Sequence, residues 1–345
     1  MKQILGLFAL LAICPLASAQ SDLTRDAKTQ AIAAFVKDFK ANYVFPDLAD
    51  KASALLQSRL NHGDYDTVTS GGELAKILTD SLHEVCQDAH LRFFYSEKPL
   101  PERKADDKPT PDEIKAMQRQ SVFLNGGYEH VERLAGNIGY LEVRSFQDAV
   151  AAKPLSTAAM TFLANTDALI LDLRRNGGGD PEAVKTLLSY FFAKRTHLND
   201  FLDRQEGKTT EFWTNERVSG AKYLNKPVYV LTSKRTGSGA EECAYDLQCL
   251  HRATIVGTTT WGGANPGGFY RLTDHFQAFI PSARAINPYT KKNWEGTGVI
   301  PDVMESGDAL VTAEKLALKK LLETATGDDK ERYQKSLDDL SKTSS

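Results

Sequence analysis

Apolar residues recur at helical spacing near the start of the chain: Ile32, Phe35, Val36 and Phe39, then Leu74, Ile77, Leu78, Leu82 and Val85, with Pro46 to Leu60 reading as a helix between them. This pattern predicts a small helical domain over 20–96, closed by the apolar stretch Ala89-His90-Leu91-Arg92-Phe93-Phe94-Tyr95, which reads as a strand. Between 97 and 130 the periodicity stops. Pro, Lys, Asp and Glu dominate there as far as Gln120, the composition of an exposed linker or lid. Beyond it, strand and helix patterns alternate. Strands are expected at Ile138–Val143, Ala168–Leu173, Val228–Thr232 and Thr254–Gly257, and helices at Val150–Leu163, Pro181–Phe192 and Ser238–Leu250. Such alternation predicts an α/β core with a parallel sheet over 131–326. Phe269–Leu272 and Phe276–Ile280, around Thr273-Asp274-His275, predict an antiparallel hairpin, and Val311–Leu322 a final helix. The charged segment 327–345 reads as a frayed or disordered tail.

Composition narrows the setting. The opening MKQILGLFALLAICPLASAQ has one Lys, an apolar run from Ile4 to Ile13 and an Ala17-Ser18-Ala19 cleavage pattern, so 1–19 reads as a signal peptide and the protein as exported, periplasmic or extracellular. No later stretch approaches the roughly 20 apolar residues of a membrane span. The leader holds one of the 42 basic residues and none of the 45 acidic ones, leaving a net charge of −4. That balance does not point to nucleic acid or an anionic membrane as partner. Cys86, Cys243 and Cys249 are too few for a disulfide scaffold and are not spaced as metal ligands.

Two glycine-rich turns carry the candidate chemistry. In Val228-Tyr-Val-Leu-Thr-Ser-Lys-Arg-Thr-Gly-Ser-Gly239 a strand runs into a tight turn that leaves Ser238 at a helix N-terminus, where free N–H groups and the helix dipole favour developing negative charge. Ser238 reads either as a nucleophile or as an N-cap, completed by Glu241 three residues on as a capping box. Gly237 and Gly239 permit a sharp turn and close approach of a ligand. The strand at Ala168 runs into Asn176-Gly177-Gly178-Gly179-Asp180-Pro181, in which Asp180 and Pro181 set a helix start. The glycines expose bare N–H groups, suited to an oxyanion or simply to a tight turn. Neither a Gly-Lys-Ser/Thr nor a G-x-G-x-x-G spacing occurs, which disfavours a nucleotide loop. Of seven histidines, His251 is thirteen residues along the same helix, roughly 20 Å from Ser238. His62, His83, His130, His197 and His275 fall in polar, mid-helix or turn positions. His90 alone occupies an apolar strand, as a base or as a structural histidine. No lysine lies between Ser238 and Lys291 to form a nearby Ser-Lys dyad.

The set ALILDLRRNGGG (168–179), VYVLTSKRTGSGAEE (228–242), TIVGTTTWGGANPGG (254–268) and NWEGTGVIPDV (293–303), with DAHLRFFYS (88–96) and NIGYLEVRSF (137–146), resembles the superfamily of tail-specific, or C-terminal-processing, serine peptidases. That superfamily includes tricorn protease and the repeats of interphotoreceptor retinoid-binding protein. The resemblance implies a ClpP/crotonase-like catalytic core and hydrolysis of polypeptides through an acyl-enzyme, without metal or organic cofactor. Residue by residue it implies Ser238 as nucleophile, the N–H of Gly239 with that of Gly178 or Gly177 as oxyanion hole, His90 as base and Glu295 as the acid behind it, with Glu241 the runner-up acid. Gly262 and Gly263 stand where the lysine-dyad branch has a Lys, and Asn265 where the retinoid-binding-like branch often has a His. Residues 97–130 are too few for the PDZ domain of many bacterial members. The competing expectation is a non-catalytic binder of an apolar ligand on the same fold.

Overall fold

A computed structural model describes residues 23–102 and 110–343; the expected signal peptide lies outside the described residues. The N-terminal segment forms α1 (Arg25–Asn42), α2 (Pro46–His62) and α3 (Gly71–His83), then the short strand β1 (Arg92–Tyr95). Each helix starts where the sequence supplies a terminator. Thr24 accepts from the Ala27 N–H, Pro46 opens α2, and Ser70 accepts from the Glu73 N–H. The apolar stripe turns inward, so Ile32, Phe35, Phe39, Leu74, Leu78 and Leu82 are fully buried.

The chain continues through α4 (Pro111–Phe123), β2 (Tyr128–Leu134), β3 (Ile138–Val143), α5 (Ala149–Leu163), β4 (Ala168–Asp172) and α6 (Pro181–Leu188). Then come β5 (His197–Asp203), β6 (Thr209–Trp213), β7 (Val228–Thr232), α7 (Gly239–Cys249), β8 (Thr254–Gly257), β9 (Gly267–Arg271) and β10 (Phe276–Pro281). Last are β11 (Ala283–Ile286), β12 (Val303–Met304), α8 (Ala309–Leu322) and α9 (Gly327–Thr343).

The main sheet has the order β12-β8-β7-β4-β3-β2, with β2 antiparallel to β3 and the other pairs parallel. Every residue of β4 and β7 is buried, as a parallel sheet covered on both faces requires. Period-two alternation divides them: Leu169, Leu171 and Val230 pack with Leu163, Leu187 and Leu247 of α5, α6 and α7, while Ile170, Tyr229 and Leu231 pack with Ala313, Ala317 and Leu318 of α8. The loops after β4 and β7 lie side by side at the carboxyl ends of their strands, where open α/β sheets bind ligands. Among the described residues no helix is long and apolar enough to cross a membrane.

Three local expectations are corrected. The 97–130 stretch is not linker throughout: α4 begins at a capping box between Thr110 and Glu113, and residues from Tyr128 join the main sheet as β2. The charged tail is helical, because Tyr333, Leu337 and Leu340 form an apolar stripe at helical spacing that packs beside α8, and the Tyr333 hydroxyl donates to Asp167 Oδ2 at 2.7 Å. The strand after the helical segment begins only at Arg92, leaving His90 in the turn before it. Moreover, β1 pairs with β10 and β10 with β9, so the hairpin at 267–281 completes the N-terminal core, with Phe276, Ala278 and Ile280 among Phe35, Leu78 and Phe93.

Candidate active site

Ser238 caps α7 with φ +51° and ψ −123°, a conformation that costs a non-glycine residue about 1–3 kcal/mol and persists only when its surroundings fix it. Those surroundings are visible. The Gly237 N–H donates to Asn176 O at 3.0 Å, and the Ser238 N–H donates to Glu241 Oε2 at 2.8 Å. The 176–179 loop is pressed against the same turn. A Cβ on Gly178 (φ +103°) would lie 2.7 Å from Ser238 Cβ and 2.8 Å from Gly239 N, so only glycine fits there. The two glycine-rich turns, 60 residues apart in sequence, therefore share one site. The Gly178 N–H itself donates to Asn176 Oδ1 at 2.8 Å within its own loop. Gly177 is exposed, with nothing within 4 Å of where its Cβ would stand, and among the described residues its N–H and that of Gly239 donate to no backbone carbonyl.

Glu241 is fully buried and accepts four hydrogen bonds: from Ser238 N, from Thr260 Oγ1 at 2.5 Å, from Gly262 N at 2.6 Å and from Gly263 N at 3.0 Å. Burial raises its pKa and these donors oppose the rise. Its partners make it the tie between the Ser238 turn and the 260–263 segment.

His90 stands on the other side of that segment. Its ring meets Trp261 edge-on at 4.8 Å between centroids and Phe279 at 5.7 Å. A Cβ on Gly263 would come within 2.7 Å of His90 Cε1, which is why this position lacks a side chain. His90 Nδ1 is buried with no hydrogen-bond partner. Burial first, and Arg92 second, push the His90 pKa down to about 4, so the ring is neutral at neutral pH. Asp88, His90 and Glu295 place one side-chain nitrogen or oxygen each within 4.8 Å of one another. Glu295 Oε1 accepts from Ala89 N at 2.9 Å, and Oε2 from Ala264 N at 2.6 Å and Asn265 N at 3.0 Å. Burial, then the neighbouring Asp88 charge, push Glu295 up to about 7. Asp88 accepts from its own turn's His90 N–H, from Asn265 Nδ2 at 3.0 Å and from the Tyr43 hydroxyl at 3.3 Å, and burial raises its pKa too. These donors already occupy the carboxylate oxygens, which suits a hydrogen-bonded set better than a cation site.

Trp261 joins the halves. The Cβ of a residue at 237 would be 3.1 Å from Trp261 Cε3, so the indole that packs on His90 also lies against the Ser238 turn. Ser238 and His90 make no hydrogen bond to each other among the described residues; such contacts are often long before substrate is bound. The other histidines are held elsewhere. His197 lies 2.6 Å from Asp200 and stacks on Trp213, His83 bonds Leu91 O, His275 bonds Ser96 O, and His130 pairs with Glu132. Sequence reading gave no role to Trp261 or Asp88, and marked the fully buried Asn265 only as a departure from the family pattern. Their contacts depend on residues far away in the chain, which no local pattern announces.

The model of peptidase family S41 matches residues 137–304, and that of the N-terminal domain of the family in eukaryotic IRBP matches residues 16–123. The chain belongs to peptidase family S41. Ser238, the glycine loop and Glu295 lie in the first matched region and His90 in the second, so the candidate site draws on both. The chain is 28% identical to the tricorn protease of Thermoplasma volcanium over 147 residues, which are 42% of this chain and 13% of that protein. It is 22% identical over 197 residues to a carboxyl-terminal-processing protease of Picosynechococcus sp., 56% of this chain and 46% of the relative. The chain thus spans less than half the length of these relatives. The fold is that of the photosystem II D1 C-terminal processing protease, with a TM-score of 0.52 at 16% identity over 89% of this chain and 99% of that one.

Proposed function

We propose that this S41 chain is an exported serine endopeptidase in which Ser238, His90 and Glu295 form the catalytic triad. Neutral His90 takes the Ser238 proton as Oγ attacks the peptide carbonyl, then delivers it to the leaving amine. Glu295, fixed by three backbone N–H groups, orients the ring and offsets the imidazolium charge. The N–H groups of Gly239 and of the 177–178 loop receive the oxyanion, Gly178 serving after its Asn176 bond is released and Gly177 without that step. Water then hydrolyses the acyl-enzyme, and no metal or organic cofactor enters. The observation that carries this reading is the strained Ser238 wedged against a glycine loop at a helix N-terminus, joined through Trp261 to a neutral histidine beside a carboxylate.

A fluorophosphonate probe is expected to label Ser238 in the folded protein, and Ser238→Ala is expected to abolish peptide cleavage. A folded wild type that resists the probe and cuts no peptide contradicts the proposal. The competing reading, a binder of an apolar ligand, predicts instead tight ligand capture that Ser238→Ala leaves intact.

A further inference from the structure

The proposed triad leaves one buried carboxyl beside it without a task. Asp88 is 2% exposed and sits in the same turn as His90, whose N–H donates to its Oδ1 at 3.2 Å. Its Oδ2 accepts from Asn265 Nδ2 at 3.0 Å and from the Tyr43 hydroxyl at 3.3 Å. Asn265 serves both acids, because its backbone N–H donates to Glu295 Oε2 while its side chain donates to Asp88. One residue therefore fixes the two carboxyls relative to each other. An oxygen of each and a His90 ring nitrogen lie within 4.8 Å of one another.

Nothing positive balances the two acids. Among the described residues no Lys or Arg pairs with Asp88 or Glu295, and Arg92, the cation beside His90, donates its Nε to Ala89 O and lies over Trp261. The other titratable groups around Asp88 are Tyr43 after α1, His83 of α3 and Cys86. Burial keeps the phenol and the thiol neutral, pushing the thiol up to about 12. Burial is also the main influence on Asp88; its three donors oppose it, and His83, which bonds Leu91 O, opposes it last. Two ionised carboxylates this close, out of water and without a counter-ion, repel strongly, so one of them keeps a proton.

We propose that Asp88 is a positioning residue: bridged to Glu295 by Asn265, it leaves the two carboxyls one proton between them in the resting site and so decides when Glu295 stands ionised behind His90. The inference rests on the hydrolytic reading above and adds a control on its acid. Burial, and then the Asp88 charge, set the ionisation that frees Glu295 at about 7. No covalent bond changes at Asp88; the proton passes to solvent.

The test is the pH profile of kcat/KM, which a merely structural residue would scale without shifting. Asp88→Asn keeps the side chain's size, and Asn265 Oδ1, buried without a partner, offers the new amide an acceptor once the Asn265 amide turns over. The acidic limb is expected to move from about pH 7 toward 4.5 by about one unit or more, and not all the way, since burial still acts on Glu295. Tyr43→Phe removes a donor that favours ionised Asp88 and should move the limb the same way by less, so the proposal stays testable if Asp88→Asn does not fold. A limb that neither variant moves, or that only His83→Gln moves, overturns the proposal. Infrared difference spectra taken across about pH 7 follow the same proton without turnover. The wild type should lose a protonated-carboxyl band that is missing from the spectra of both Asp88→Asn and Glu295→Gln. That band in a protein that cuts no peptide supports the pair while rejecting the peptidase. Labelling of Ser238 with a limb and a band indifferent to position 88 rejects the pair and leaves the peptidase standing.

Discussion

The two halves of the site are built in opposite ways. The Ser238 half is mostly local: a strand, a turn of a few residues and a helix produce the hydroxyl, its strained backbone and its position at α7, with the β4 loop and the 260–263 segment packed against it. The His90 half has almost no local support. Its turn is held by Glu295 from 206 residues away, by Asn265 through Asp88, and by a small sheet whose other two strands come from 267–281. The Thr260–Asn265 segment touches both halves, through Glu241 on one side and through Trp261, Glu295 and Asp88 on the other. A local motif can therefore present the proposed nucleophile by itself, while the proposed base depends on the assembled fold.

The largest effect should come from the local half. Ser238→Ala is expected to lower kcat by roughly 10⁴–10⁶-fold with little change in thermal stability, measured by peptide turnover and calorimetry. His90→Ala should cost roughly 10²–10⁴-fold, the usual worth of a general base. Gly178→Ala tests the contact between the two glycine turns. The added methyl has backbone neighbours at 2.7–2.8 Å, so both activity and stability should fall, whereas the same change at the open Gly177 should leave stability nearly unchanged.

The tie between the halves comes next. Glu241→Gln replaces an acceptor of four hydrogen bonds with a group that must point an NH₂ at some of its former donors, so a loss of about 2–4 kcal/mol in chemical denaturation is expected. Glu295 behaves differently. Its folded pKa of about 7 lies above the ordinary 4.5, so the folded state favours the protonated form. The stability this group contributes is fully present below about pH 4.5 and is lost as pH rises through about 7. Glu295→Gln should thus lower activity, and the fall in wild-type stability as pH rises through about 7 should be absent from the variant. Because the ionised carboxylate is the form that supports an imidazolium, wild-type kcat/KM should rise through about pH 7, and Glu295→Gln should remove that limb. The smallest effect is expected far from the site. Tyr333→Phe loses the bond to Asp167 and should cost about 1 kcal/mol without altering turnover.

Legibility followed the same division. The parallel core, the helix start at Ser238 and the Asp180-Pro181 cap could be read directly, because each depends on residues within a few positions of one another. The β9–β10 hairpin could be read too, but its pairing with β1 could not, since β1 is four residues long and the hairpin lies more than 170 positions away. The α9 stripe was hidden among charges, and β5 and β6, which pair only with each other and β11, lacked a clear alternation. His90 was singled out on the expectation of a rigid strand. Its rigidity comes instead from Trp261 and Gly263 packed against a turn, contacts that no local pattern announces.

The central claim is that an imidazole from the N-terminal segment activates an alcohol at the start of α7. The most direct measurement is the second-order rate at which a fluorophosphonate modifies Ser238 in the wild type and in His90→Ala, with circular dichroism showing both folded. The account predicts a fall of at least about a hundredfold in the variant; equal rates would contradict it.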